Sequence, residues 1–262
     1  MTYPGLIELP FSALGFGVGL LVGLTGVGGG SLMTPLLILL FGVHPVTAVG
    51  TDLLFAAGTK TVGTLMNGLH GMVDWRVTAR LAAGSLPATA LTLFVVSSLD
   101  AHNDAAGAVI SAILCAALLL TAVSLILRKQ ILHFAAARLG AVSPHLALVL
   151  TVLTGAALGV LVSLSSVGAG AIGIMALLLL YPRLPIARIV GSDIAHAVPL
   201  TLLAGIGHWV MGTVQWGLLA SLLAGSLPGI VLGSYFAPRI PDLVLRTVLA
   251  ITLVVVAGKM VI

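Results

Sequence analysis

Charge is what this chain most lacks. Of its 262 residues, 7% are Asp, Glu, Lys or Arg, where soluble domains carry about 25%. Seven acids and eleven basic residues cannot coat a water-soluble globule of this length, so an ordinary soluble enzyme, a disordered tail and a nucleic-acid module are excluded. Cysteine is nearly absent too. Cys115 stands alone in an apolar run, which leaves no disulfide framework and no thiolate metal cluster. Hydrolytic spacings are missing as well: there is no HExxH, no Ser-His-Asp arrangement and no paired carboxylates. No catalytic, metal or cofactor site is therefore expected.

What is there is apolar. Hydrophobic residues make up 60% of the chain and the mean hydropathy is +1.25, a surface suited to a lipid bilayer. The formal charge of +4 comes from cations scattered singly, which in a membrane protein mark cytoplasmic loops. The first ten residues hold Glu8 and no Lys or Arg, so no cleavable signal is expected there.

Apolar stretches fall at about 11–26, 30–41, 46–66, 77–97, 105–127, 145–164, 169–181, 187–207, 217–237 and 243–262. A span needs roughly 20 residues. The stretches 30–41 and 169–181 are shorter, and each follows a Gly-rich break. Short, interrupted segments in corresponding places point to a transport site.

The chain also repeats itself. At a shift of 140, Gly15, Gly19, Val27, Gly28 and Gly30 fall on Gly155, Gly159, Val167, Gly168 and Gly170. One inserted residue later, Gly50 and Asp52 fall on Gly191 and Asp193, Trp75 on Trp216, and Gly84-Ser85-Leu86-Pro87 on Gly225-Ser226-Leu227-Pro228. Matching Leu and Ala would mean little, but a matched Asp, Trp and GSLP string marks two copies of one unit. The expected organisation is a first transmembrane repeat at 1–127, a cytoplasmic linker at 128–144 and a second repeat at 145–262.

Arginines orient the copies. The linker carries Arg128, Lys129 and Arg138, the first copy has Arg76 and Arg80, and the second has Arg183 with Arg188 and Arg239 with Arg246. All face the cytoplasm only if the copies have opposite orientations. The sequence thus predicts an all-α polytopic membrane protein with two inverted-topology repeats. Each has about five helical segments, with a Gly-rich break or hairpin between the first two, and both termini lie outside.

The first break, Leu24-Thr25-Gly26-Val27-Gly28-Gly29-Gly30-Ser31, permits positive φ and close backbone approach. The helix after it offers free N–H groups and the positive end of its dipole. Thr25 and Ser31 add hydroxyls, and Ser165, Ser166 and Gly168 supply the same parts in the second copy. Thr25, Gly28, Gly29, Ser31, Ser165, Ser166 and Gly168 are the expected cradle for a small oxyanion. Close helix packing is the simpler role for Gly15, Gly19, Gly23, Gly155 and Gly159, which form small-xxx-small steps. The break is not a Walker loop, since Leu32 follows Ser31.

Ionisable groups at membrane depth are costly, so each is a site candidate. Lys60 lies deep in the third segment, where it can attract an anion, pair with an acid or snorkel. Asp52 and Asp193 begin equivalent helices as Gly-Thr-Asp and Gly-Ser-Asp. Helix capping accounts for both, and proton coupling is the alternative. His196 stands three residues beyond Asp193, on the same face, where the two could share a proton. Its counterpart is Phe55, and His208 aligns with Asn67.

Gly26-Val-Gly-Gly-Gly-Ser-Leu-Met-Thr-Pro35, Gly50-Thr-Asp52, Asn67-Gly-Leu-His-Gly-Met-Val-Asp-Trp75 and the Gly-Ser-Leu-Pro repeats together resemble the TauE/SafE sulfite exporter family of bacterial permeases over nearly the whole chain. The second copy departs from the pattern, with Met175 where the first has Pro35. The resemblance implies export or uptake of sulfite, sulfoacetate or a related organosulfonate across the inner membrane. The expected function is a secondary transporter of that anion, exporting and proton-coupled. A passive anion channel is the first alternative, and an integral membrane enzyme or assembly factor of sulfur metabolism the second. The expected partners are the anion and the bilayer, with a homodimer left open and no nucleic acid.

Overall fold

A computed structural model describes residues 8–25, 30–98, 104–127, 130, 143–236 and 242–261. These residues form ten α-helices: α1 Leu9–Thr25, α2 Gly30–Phe41, α3 Pro45–Leu69, α4 Trp75–Ser97, α5 Asp104–Ile126, α6 Pro144–Ser165, α7 Ala171–Leu180, α8 Ile186–Val210, α9 Trp216–Phe236 and α10 Asp242–Val261. Five helical stretches are long and apolar enough to cross a membrane, at Trp75–Ser97, Ala108–Ile126, Pro144–Ser165, Ile186–Val210 and Trp216–Gly233. Helix α3 equals α8 in length at 25 residues, but Asp52, Lys60, Asn67 and its five threonines make it more polar. Leu91, Phe94, Leu119, Leu153, Val210, Val231 and Ile251 stand exposed on the outside of the bundle. In water such a surface would aggregate, whereas against lipid tails it is solvated. The protein is an all-helical multi-pass membrane protein.

Helices α2 and α7 have 12 and 10 residues. At 1.5 Å per residue they reach ~18 and ~15 Å, about half the hydrocarbon thickness. Each folds back along the helix before it. The Tyr181 hydroxyl, just past α7, lies 2.8 Å from Thr151 Oγ1 near the start of α6, and Gly173 lies against Leu158 midway. The pairs are spaced as in an antiparallel hairpin, and the intervening turn is Ser166–Gly170. In the first half Phe11 and Phe41 close α1 and α2 in the same way, their rings 4.7 Å apart. Phe11 and Phe41 align with Thr151 and Tyr181 at the 140-residue shift. One hairpin is therefore closed by two tilted rings in contact and the other by a hydrogen bond.

Packing runs mostly between the halves. Helix α1 lies along α9, α6 along α4, α3 along α8 and α5 along α10, so each major contact either maps onto its counterpart or onto itself when the halves are exchanged. Glycines set the first two crossings. A Cβ on Gly19 would sit 2.5 Å from the Ser226 carbonyl oxygen, and one on Gly159 would sit 2.5 Å from that of Ser85. Gly15 meets Leu222, Gly155 meets Leu81, Gly84 meets Val152 and Gly225 meets Ser12, all backbone against backbone. The expected small-residue packing is what these glycines do.

The turns fix the ends. Ser192 Oγ, on α8, accepts the Asp74 N–H of the α3–α4 turn at 2.8 Å, and Thr51 Oγ1 accepts the Gln215 N–H of the α8–α9 turn at 3.1 Å. Arg76 and Arg80 therefore gather with Arg183 and Arg188 at one end of the bundle. At the other end lie the α2–α3 and α8–α9 turns, with His44 and no Lys or Arg.

Candidate functional site

The two longest helices, α3 and α8, bring the ionisable side chains of the interior together. Asp52, Lys60, Asp193 and His196 are 0, 6, 1 and 0% exposed. At those values none of the four is a surface charge that snorkels. Lys60 lies within electrostatic reach of Asp193, Asp52 and His196. One cation is thus shared by two acids, one from each half. A carboxylate at membrane depth needs a partner of this sort or a proton.

The two acids are held differently. Asp52 is the eighth residue of α3, too far inside to cap it, and its Oδ2 accepts the Thr34 hydroxyl of α2 at 2.5 Å. Its Oδ1 has no hydrogen-bond partner. Asp193 is equally deep in α8 and leans on Gly173 in the first turn of α7, where a Cβ would make its carboxylate turn aside. Its Oδ1 is also unpartnered. Thr51 and Ser192, the expected caps, instead accept the turn N–H groups of the opposite half. This pairing lies between residues 164 and 118 positions apart, beyond what a local reading can see.

His196 lies 2.8 Å from Ser85 Oγ through Nε2, and its Nδ1 has no partner. The histidine and Asp193 share a helix face yet do not hydrogen-bond; the serine of α4 takes the place expected for the acid. His208 is different, because its ring is fully occupied. Nε2 donates to the Ser163 carbonyl at 3.1 Å, and Nδ1 lies 3.0 Å from Thr213 Oγ1. The carbonyl partner assigns the proton to Nε2. His208 thereby ties the end of α8 to the end of α6.

The second break lies beside this cluster. Ser165, Ser166, Val167, Gly168, Ala169 and Gly170 are all buried. The chain turns through positive φ at Ser166 (59°), Gly168 (116°) and Gly170 (126°). Ser166 is the non-glycine member of that trio, a strained choice that the surroundings must hold. Its hydroxyl is buried with no hydrogen bond of full geometry, yet it stands beside the Asp52 carboxylate as a nearby potential donor. Ser165 is already employed: its hydroxyl donates to the Leu161 carbonyl at 2.7 Å and accepts the Val167 N–H at 3.2 Å. Gly170 precedes α7 with no side-chain cap, leaving N–H groups of the first turn available. Of the first break, Gly28 and Gly29 lie outside the described residues, as do the side chains of Thr25 and Ser31.

Asp52 Oδ1, Asp193 Oδ1, His196 Nδ1 and Ser166 Oγ are thus four buried polar atoms without partners, contributed by α3, α8 and the break. Buried polar groups are normally satisfied. A cluster of unsatisfied ones beside a buried ammonium suits a guest that brings its own donors and acceptors. The sequence had singled out Lys60, Asp52, Asp193, His196 and Ser166. It missed Thr34 and Ser85, whose partners lie on other helices and leave no trace in local spacing.

The sequence profile of the sulfite exporter TauE/SafE family matches residues 11–260. The chain belongs to that family. The Bacillus subtilis (strain 168) probable membrane transporter protein YjnA is 36% identical over 246 residues, covering 94% of this chain and 96% of the relative. A second probable membrane transporter of that organism, YdhB, is 29% identical over 245 residues, covering 90% and 93%. No solved structure matches the chain. Membership makes this a membrane transporter.

Proposed function

We propose that this transporter exports a small sulfur-containing oxyanion, sulfite or an organosulfonate such as sulfoacetate, across the cytoplasmic membrane in exchange for protons. The observation that carries the reading is the set of unpartnered buried polar atoms around Lys60. An oxyanion in that space receives the Lys60 charge, the Ser166 hydroxyl and N–H groups at the start of α7. Gly28, Gly29 and the side chains of Thr25 and Ser31 in the first break, outside the described residues, are the further donors that the sequence offers. Gly168 lets the backbone come close. Ser165 holds the turn in shape. Asp193 and His196, each with a free atom, are the proton carriers, and Asp52, the second acid, is the third candidate carrier.

The gathering of Arg76, Arg80, Arg183 and Arg188 at one end supports a cytoplasmic assignment for that end. Equivalent turns of the halves lie at opposite ends, in keeping with inverted repeats and with both termini outside. In such an arrangement the α3–α8 pair, packed on itself across the pseudo-twofold, is the axis about which the hairpins rock to expose the site alternately.

Flux into proteoliposomes tests the reading. Wild-type protein should accumulate sulfite or sulfoacetate in response to a pH gradient with saturating kinetics, while Lys60→Ala and Ser166→Ala should fall to a small fraction of that rate. Wild-type rates in both variants would dismiss the cradle. Flux that neither saturates nor responds to the gradient would make the protein a channel.

A further inference from the structure

The arginine end of the bundle holds a second feature that the central cluster does not use. A cavity of about 330 Å³ opens between the start of α4, the start of α6 and the α7–α8 loop, lined by Arg80, Pro144, Ala147, Tyr181, Arg183 and neighbouring leucines and a proline. Two arginines line it, and no Asp or Glu is among the described residues that do. One of them is fixed by a directed chain of hydrogen bonds. Thr151 donates to the Ala147 carbonyl at 2.6 Å, so its oxygen accepts the Tyr181 hydroxyl at 2.8 Å. The tyrosine oxygen in turn accepts Arg80 Nη1 at 3.1 Å. One N–H of the half-buried Arg80 is spent in this way, and the rest of its planar fork remains for a ligand. Arg183 is exposed on the facing loop.

The equivalent place when the halves are exchanged, among α9, α1 and the α2–α3 turn, lacks every part of this. Thr151, Tyr181, Arg183 and Arg80 align with Phe11, Phe41, Val43 and Ser221. Where the first half closes its hairpin with two rings, the second spends a hydroxyl pair to aim an arginine. Hairpin closure does not require the arginine, since Phe11 and Phe41 manage without one.

We propose that Arg80 and Arg183 form a second oxyanion site, at the mouth of the α4–α6–α7 bundle, with Tyr181 as the residue that positions Arg80. It takes a sulfonate, sulfate or phosphate group in the arginine fork, with the apolar prolines and leucines against whatever the group carries. That group belongs either to a free anion or to a lipid headgroup. The site's role as an antechamber, raising the local concentration of anion before it moves inward, rests on the transport reading above; the site itself does not.

The test is protection of individual arginines from phenylglyoxal, read by peptide mass spectrometry on the whole protein in nanodiscs. Sulfate and sulfoacetate should protect Arg80 and Arg183 in phosphatidylcholine, while Arg76 and Arg188 at the same end stay reactive. Protection that appears only with phosphatidylglycerol upholds the oxyanion site and identifies its source as lipid. Equal reactivity under all conditions, or equal protection of all four arginines, overturns it. Tyr181→Phe should raise the half-protecting anion concentration about tenfold or more, the worth of one hydrogen bond to a charged group. Lys60→Ala should leave protection unchanged, so failure of the central cradle in flux assays and failure of this site are separate results.

Discussion

Asp52 and Asp193 match at the 141-residue shift of the sequence on itself, and each is furnished differently. Both lie deep in long helices, and both follow a hydroxyl residue that accepts the turn of the other half. Yet Asp52 receives the Thr34 hydroxyl, while Asp193 rests against the bare backbone of Gly173. The residue aligned with Thr34 is Ile174, which has no donor to give. His196 is likewise found in one half alone, opposite Phe55. At matching positions the two acids thus have different surroundings: Asp52 Oδ2 accepts a hydroxyl from α2, no hydroxyl stands at the matching place beside Asp193, and each acid keeps one unpartnered oxygen.

The largest effects should come from what the halves still share. Gly15→Val and Gly155→Val each force a Cβ into a facing backbone, where no side-chain rotation relieves it. Each should cost more than about 4 kcal/mol and abolish recovery of monodisperse protein in detergent. A soluble, well-behaved Gly155→Val protein would break the exchange symmetry of the two crossings. The acids should separate next. Asp193→Asn should reduce pH-driven accumulation in proteoliposomes to background, whereas Asp52→Asn should leave a measurable fraction. Equal losses would mean that the differing surroundings carry no functional weight.

Smaller effects sharpen the same contrast. Thr34→Val removes the donor to a buried carboxylate and should lower stability by about 1–3 kcal/mol, seen as a drop in Tm. Ile174→Thr, the reciprocal change, should show no comparable gain unless its hydroxyl reaches Asp193. Least of all, Phe94→Leu on the exposed face of α4, 74% exposed, should stay within about 0.5 kcal/mol. A larger change by thermal unfolding would place Phe94 in an interface instead of against lipid.

The helices were legible in the sequence because hydrophobic length and the Gly-rich interruptions are local signals. The ten apolar stretches differ from the ten helices by a few residues at their ends. The glycine stripes of α1 and α6 were legible as packing, and Lys60, Asp52, Asp193 and His196 stood out because charge is rare in such segments. Partners were not legible. Thr34 and Ser85 stand within motifs and Tyr181 in none, but the role of each comes only from the residue that it meets on another helix. The capping expectation for Thr51 and Ser192 failed for the same reason. Their helices begin two turns earlier at Pro45 and Ile186, and their hydroxyls serve the opposite half.

The glycine crossings have a consequence for how the chain is made. Helix α1 finds its groove on α9, some two hundred residues downstream, so during synthesis it must wait, with its backbone stripe uncovered, until nearly the whole polypeptide has been inserted. Neither half can then mature by itself. Severed at the linker, the first half should be cleared from the cell when produced alone, and should survive when the second half is supplied from a separate gene.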